Sequence, residues 1–143
     1  MTVSGEEAMV RDILAMWSTG VEGVKESFRH YGSRNLVWWN SARGALTGLD
    51  VCLQALDQMF DVLEIAAVAV PIHTLFTAPG RAVVERSDNL YRGDGTLIAE
   101  IPVTGVIGFD GAKMVVWRDY CDDWMTKLSL GQPVMPVPAS AVL

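Results

Sequence analysis

The run Val83-Val84-Glu85-Arg86-Ser87-Asp88-Asn89-Leu90 constrains this chain more than any other stretch. β-branched residues lead in, the turn formers Arg92-Gly93-Asp94-Gly95 end it, and apolar and polar residues roughly alternate, the pattern of a half-buried strand. Alternation sets Val84, Arg86, Asp88 and Leu90 on one face and Val83, Glu85, Ser87 and Asn89 on the other. If the first face is the buried one, a cation and an anion lie side by side among apolar neighbours. Desolvating unpaired ions is costly, so a further group must answer them. The expected answer is Asp119.

That expectation comes from the strand order. Asp110-Gly111 is a clean hairpin signal between Leu97–Phe109 and Lys113–Tyr120, and Gly93-Asp94-Gly95 a second one before it. The middle strand, with Ile101, Val103, Gly105 and Ile107 alternating, then pairs with both of its neighbours. On the last strand Lys113, Val115, Trp117 and Asp119 fall on one face and Met114, Val116, Arg118 and Tyr120 on the other. Asp88 and Asp119 can therefore face one cavity from strands that flank a common neighbour, with Arg86 between them. Two carboxylates bridged by an arginine suit acid–base chemistry, because unequal burial pushes their pKa values apart. Spacing alone leaves a purely structural Asp–Arg–Asp network open as the other reading.

Upstream, the pattern is helical. Glu6–Thr19 starts with a capping Ser4 and presents Met9, Ile13, Leu14, Met16 and Trp17 as an apolar face; Val21–Tyr31 and Asp50–Phe60 are two further helices. Asn35–Asn40 reads as a strand that places Trp38 and Asn40 on one face and Trp39 on the other, and Ser41–Gly48 as a loop. Glu64–Thr77 contains Pro71 and is expected as an edge or bulged strand. Asp122–Leu128 reads as a short closing helix capped by Asp122, and Gln132–Leu143 as an extended, proline-rich tail. Helices first and an antiparallel meander afterwards make an α+β class: a curved sheet wrapped over N-terminal helices, a cone with an apolar interior.

Composition narrows the function. At 143 residues the chain is expected to be one domain over 1–143, and its 50% hydrophobic content supports a generous core or pocket. A formal net charge of −6 argues against binding nucleic-acid phosphates. No run is long and apolar enough for a membrane span, and the first residues lack the order of a signal peptide. Cys52, Cys121, His30 and His73 sit in no metal-ligand spacing, so the expectation is a cytoplasmic protein with free thiols and no metal or other cofactor. His73 reads as a structural hydrogen-bonder, and Glu85 and Arg118 should face outward. The outer sheet face, with Val106, Met114, Val116 and Tyr120, is more apolar than solvent requires, so a homodimer is expected.

The last third of the chain resembles the limonene-1,2-epoxide hydrolase family, part of a cone-shaped fold group with nuclear transport factor 2 (NTF2), ketosteroid isomerase and SnoaL-like cyclases. Glu85-Arg86-Ser87-Asp88 and Trp117-Arg118-Asp119-Tyr120-Cys121-Asp122 match the family strings E-R-x-D and W-R-D-Y-F-D at the family's separation. The resemblance implies that Asp88 protonates an epoxide oxygen, Asp119 takes a proton from water, Arg86 bridges them and Asn40 helps to hold the water. It also implies a small apolar substrate, with Leu90, Ile101, Val103, Trp117 and Cys121 lining the pocket. The family has a tyrosine where this chain has Trp38. An indole N–H donates but cannot accept, so Trp38 should narrow the pocket and leave the water fewer anchors.

Overall fold

The structure is a computed structural model of the full chain, described here for residues 3–143. Its elements run α1 (Gly5–Trp17), α2 (Val21–Tyr31), β1 (Gly32–Asn40), β2 (Gly44–Thr47), α3 (Leu49–Val62), β3 (Ala67–Ala69), β4 (Ile72–Ala78), β5 (Arg81–Tyr91), β6 (Leu97–Asp110), β7 (Lys113–Tyr120) and α4 (Trp124–Ser129). The described strands form one unclosed sheet in the order β2-β1-β7-β6-β5-β3, with β4 also on β5. β1 pairs with β7 in parallel; the other described pairings are antiparallel. This is the curved α+β cone of NTF2-like proteins.

Helix starts follow local chemistry. Ser4 Oγ accepts from Glu7 N at 3.0 Å and also meets Thr77 Oγ1 at 2.9 Å, so the cap of α1 is tied to β4. Val10, Ile13, Leu14 and Trp17 of α1, Val24 and Phe28 of α2, and Leu56 and Phe60 of α3 are buried against the concave side of the sheet. There they meet Val84, Leu90, Ile101, Val103, Ile107 and Trp117.

Several expectations need correction. Ser41–Gly48 is a hairpin with its own strand, β2, rather than a loop. The run expected from Glu64 to Thr77 is broken at Val70-Pro71 into β3 and β4, both paired with β5, because proline cannot donate to a ladder. α4 is capped by Asp123, whose Oδ1 accepts from Thr126 N at 3.3 Å, and not by Asp122, which instead pairs with Lys127 Nζ at 2.6 Å. The tail is extended apart from a 3₁₀ turn at Ala139–Ala141.

The largest correction concerns β7. Gly108 pairs with Val116 but Phe109 pairs with Met114, so Val115 is an extra residue in a bulge. Alternation therefore changes phase there. Met114 points into the core, fully buried, whereas Lys113 is exposed and donates to the His30 carbonyl at 2.6 Å. Trp117 and Asp119, beyond the bulge, keep the inward face that spacing assigns them. Met114→Ala should then cost about 2–5 kcal/mol, as for other buried large-to-small changes. Val116→Ala should cost clearly less, and paired urea melts of the two variants measure the difference.

Candidate active site

β5 runs with the alternation read from its sequence. Val84, Arg86 and Leu90 are buried on the concave face, Asp88 is partly covered beside them, and Glu85 is exposed on the other side. β6 carries buried Ala99, Ile101, Val103, Gly105 and Ile107 on that same face, and β7 adds Trp117 and Asp119. Gly105 is the register partner of both Val84 and Asp119. The three polar groups thus converge across a central strand.

Arg86 is fully buried; the side chains of Asp119 and Asp88 keep 7% and 19% of their exposure. Its Nε donates to Asp88 Oδ1 at 2.8 Å and its Nη2 to Asp88 Oδ2 at 3.2 Å. Nη1 donates to Asp119 Oδ1 at 3.1 Å and Nη2 to Asp119 Oδ2 at 3.2 Å. Trp117 Nε1 donates to Asp119 Oδ1 at 2.7 Å. One planar guanidinium grips both carboxylates with its fork of donors, a geometry that lysine cannot supply.

This fit needs Gly105. A Cβ there would lie 2.8 Å from Arg86 Nη1, 3.1 Å from Asp119 Oδ1 and 3.3 Å from Val84 Cγ1. Glycine inside a strand is a sign of such a close approach; the sequence therefore held a signal for Gly105 as a site residue.

Burial pushes the Asp88 carboxyl above the usual carboxylate range; Arg86 opposes the rise and Asp119 adds to it. For Arg86, desolvation works against the charged form, but the two carboxylates outweigh it and the guanidinium is held protonated more firmly than usual. One cation cannot neutralise two anions, so the buried triad is least strained when one carboxyl keeps its proton. Asp88 is the better candidate to keep it.

Asp88 and Asp119 border a cavity of about 730 Å³, of the size that takes small organic ligands. Asp88, Asp119, Asn40, Trp38, Leu90, Ile101, Val103 and Cys121 all lie on its wall. Trp117 does not; it stands behind Asp119, 1% exposed, as a hydrogen-bond donor. The helices add an apolar wall that sequence reasoning did not assign to the site, notably Trp17, Phe28, Leu56 and Phe60, and α4 adds Trp124 and Met125. Arg43, in the β1–β2 turn, reaches Met125 Sδ at 2.8 Å.

Asn40 is brought to Asp119 by the parallel pairing, in which Trp38 faces Trp117 and Asn40 faces Asp119 in register. Ser41 clamps the pair: its N–H donates to the Asp119 carbonyl at 2.9 Å and its Oγ bonds Cys121 N and O at 2.9 Å each. Asn40 Oδ1 accepts from Ala42 N at 2.9 Å and from Cys121 Sγ at 3.8 Å, and Nδ2 donates to Cys121 Sγ at 3.5 Å. Its amide therefore has one hydrogen left for a ligand. Trp38 packs edge-on against Phe28 at 5.5 Å inside the cone, while Trp39 packs against Tyr120 outside it. Burial raises the Cys121 thiol, which keeps it from acting as a thiolate. His73 Nε2 lies 2.9 Å from Ser87 Oγ, on the strand face opposite Asp88, and takes no part in this cluster. Among the described residues no group of three His, Cys, Asp or Glu side chains is placed to hold a metal ion, and no described helix is long and apolar enough to cross a membrane.

The curved sheet over N-terminal helices is the NTF2-like fold, and here Asp88 and Asp119 of a carboxylate–arginine cluster lie on the wall of its cavity. The sequence matches the family model "Limonene-1,2-epoxide hydrolase catalytic domain" over residues 11–129, and the chain belongs to that family. No curated protein matches the chain. Among solved structures it is similar to an LEH-like epoxide hydrolase of M. tuberculosis, at 22% identity and a TM-score of 0.67, covering 87% of this chain and 88% of the other. It is also similar to a protein of ketosteroid isomerase-like fold from Catenulispora acidiphila DSM 44928, at 16% identity and a TM-score of 0.68, covering 95% and 100%. A candidate SnoaL-like polyketide cyclase from Jannaschia sp. CCS1 shares 12% identity with a TM-score of 0.70, covering 93% and 99%. At these identities the solved structures establish the fold alone.

Gly105→Ala tests how tightly the cluster is built. The added methyl must displace Arg86 or Asp119, so the variant should lose more stability than Gly108→Ala on the same strand, where a Cβ meets nothing closer than 3.8 Å. Thermal melts of the two variants side by side measure this.

Proposed function

We propose that this protein is an epoxide hydrolase that adds water to a small, mostly apolar epoxide in one step. The observation that carries the proposal is the pair of carboxyls that share one fully buried guanidinium beside an apolar cavity.

In this scheme Asp88 supplies the proton, Asp119 serves as the base and Arg86 balances the negative charge between them. Asp119 takes a proton from a water molecule as the water oxygen forms a bond to one epoxide carbon. The bond between that carbon and the ring oxygen breaks, and the ring oxygen takes the proton of Asp88. The product is a vicinal diol; Asp88 is left ionised and Asp119 protonated. One proton returning from Asp119 to Asp88 restores the site, so water is the only co-reactant consumed. The apolar wall keeps bulk solvent from competing, and Asn40 offers the water its remaining amide hydrogen.

Asp88→Asn and Asp119→Asn should each reduce hydrolysis roughly a hundred- to ten-thousand-fold, the usual worth of general acid or base catalysis. Retention of a tenth of the activity in either variant would show the roles to be misassigned. A purely structural network forecasts a large drop in melting temperature instead, since the remaining ions would be badly paired. The raised Asp88 also fixes a sign: activity should fall as pH rises through its pKa, because the acid is then lost. Its stabilising effect is complete below the ordinary carboxylate range and is lost over the same rise. Asp88→Asn should abolish that fall in stability with rising pH, which melting temperature followed against pH will show.

Proton shuttling alpha to a carbonyl, as in isomerases or cyclases, is the second reading and is favoured by the fold neighbours. It needs one base, and it leaves the second bridged carboxyl without a task. Turnover of an epoxide panel in ¹⁸O-water, with one label per diol, separates the two.

Trp38 bears on substrate size. With an indole in place of the family tyrosine, the water has fewer polar anchors and the cavity is narrower. Trp38→Tyr should speed hydrolysis of a compact epoxide and admit bulkier ones. No gain on any substrate tried would mean that the water is held by other groups.

We also propose a homodimer through the convex sheet face. Met114 is not part of that face, but Val83 and Tyr120 are 40% and 46% exposed there, with Val106 and Val116 beside them. Light scattering at micromolar concentration should give twice 15.6 kDa.

A further inference from the structure

Hydrogen bonds to Asp88 and Asp119 fix the Arg86 guanidinium at its donor edge. Its solvation is decided by what packs around the rest of it. Two indoles do so: Arg86 Cζ lies 5.3 Å from the ring centroid of Trp17 and 5.6 Å from that of Trp117. The two rings stack on each other with centroids 5.5 Å apart, so cation and indoles form a compact triangle. Trp117 belongs to the sheet and is fixed by its bond to Asp119. Trp17 ends α1 and comes from the opposite layer.

Trp17 is held in a way that plain core packing does not require. Its Nε1 donates to Ser27 Oγ at 2.9 Å, and that hydroxyl donates to the Val24 carbonyl at 2.6 Å. Ser27 is fully buried between helices. A leucine or phenylalanine at position 17, with alanine at position 27, would fill such a helix contact without burying any polar atom. The polar pair fixes one orientation of the indole, and that orientation sets the ring against Arg86. Trp17 also borders the cavity, where a smaller side chain would admit water to the guanidinium.

We infer, resting on Arg86 as the bridge between acid and base, that Trp17 is a positioning residue: its indole, locked by Ser27, holds the Arg86 guanidinium dry and in register with Asp88 and Asp119. Trp17 touches no reacting atom in this scheme. It acts through Arg86, by cation–π contact and by excluding water. The consequence is read at Asp88, whose carboxyl is pushed up chiefly by burial. The ionisable groups about Asp88 are Arg86 on its own strand and Asp119 and Cys121 from β7 and its end; Arg43 stands at the β1–β2 turn. The cavity walls from α1, α2, α3 and α4 contribute none.

Carboxyl ¹³C NMR titration of the aspartate-labelled full chain, with the Asp88 signal assigned from Asp88→Asn, tests this without needing turnover. Trp17→Leu should move the Asp88 midpoint down by about one pH unit, because hydration relieves the desolvation that raises it. Trp17→Phe, which keeps an aromatic face, and Ser27→Ala, which frees the indole, should move it less and in the same direction. On any epoxide the parent hydrolyses, Trp17→Leu should lower kcat about tenfold or more through loosened aim, with Trp17→Phe nearer the parent. Should Trp17→Leu fail to fold, the other two variants decide by the same shift. An Asp88 midpoint unchanged in the folded variants, whatever happens to melting temperature, overturns the inference and returns Trp17 to core packing. If the parent hydrolyses no epoxide, the hydrolase reading falls, while the titration still decides the role of Trp17.

Discussion

A fully buried guanidinium is the constraint on which this structure turns. Its burial is tolerable only because two carboxylates from two strands meet it, and those carboxylates are tolerable so near each other only because it lies between them. The requirement spreads outward. The central strand must pass without a side chain at Gly105. The last strand must be in phase at Asp119, so its bulge has to be complete by Val116. Helices must supply apolar walls that leave one carboxyl short of solvent.

Much of this was legible in the sequence because strands write their faces with a period of two. Arg86 and Asp88 declare themselves by standing among Val84 and Leu90, and a two-residue turn at Gly111-Ala112, signalled by Asp110-Gly111, fixes which strand comes next. Asp119 follows from those facts, since it sits beyond the bulge. Met114 and Lys113 do not: one extra residue, Val115, inverts everything on its turn side, and nothing in the local composition marks it. Asp123 was missed as a cap for a similar reason, since two adjacent aspartates offer the same chemistry one position apart. Proline at position 71 showed that its strand would be disturbed; that it would split into two was a matter of how both pieces find β5.

The site's helical half was harder to read. Trp17 repeats with Ile13 and Leu14 on an apolar helix face, and a tryptophan in that pattern is an ordinary core residue. Only the packing of layers reveals that its ring meets a cation on a strand far along the chain. Membership of the family and the fold of the solved neighbours place the chain in an architecture used for hydrolysis, isomerisation and cyclisation alike; fold does not choose among these. The choice rests on which carboxyl carries a proton and on what lies over the arginine.

The parallel pairing of β1 with β7 carries one more consequence. Neighbouring antiparallel strands here are joined by short turns and can zip locally, but Asn40 and Cys121 are 81 residues apart in sequence and touch only when that parallel seam closes. Closing so long a loop is entropically expensive and is reached late in folding. The cavity wall is therefore incomplete in the hairpins or in the helices alone. The seam adds the wall of Trp38 and Asn40 to a polar cluster that the hairpin-linked strands β5, β6 and β7 assemble by themselves.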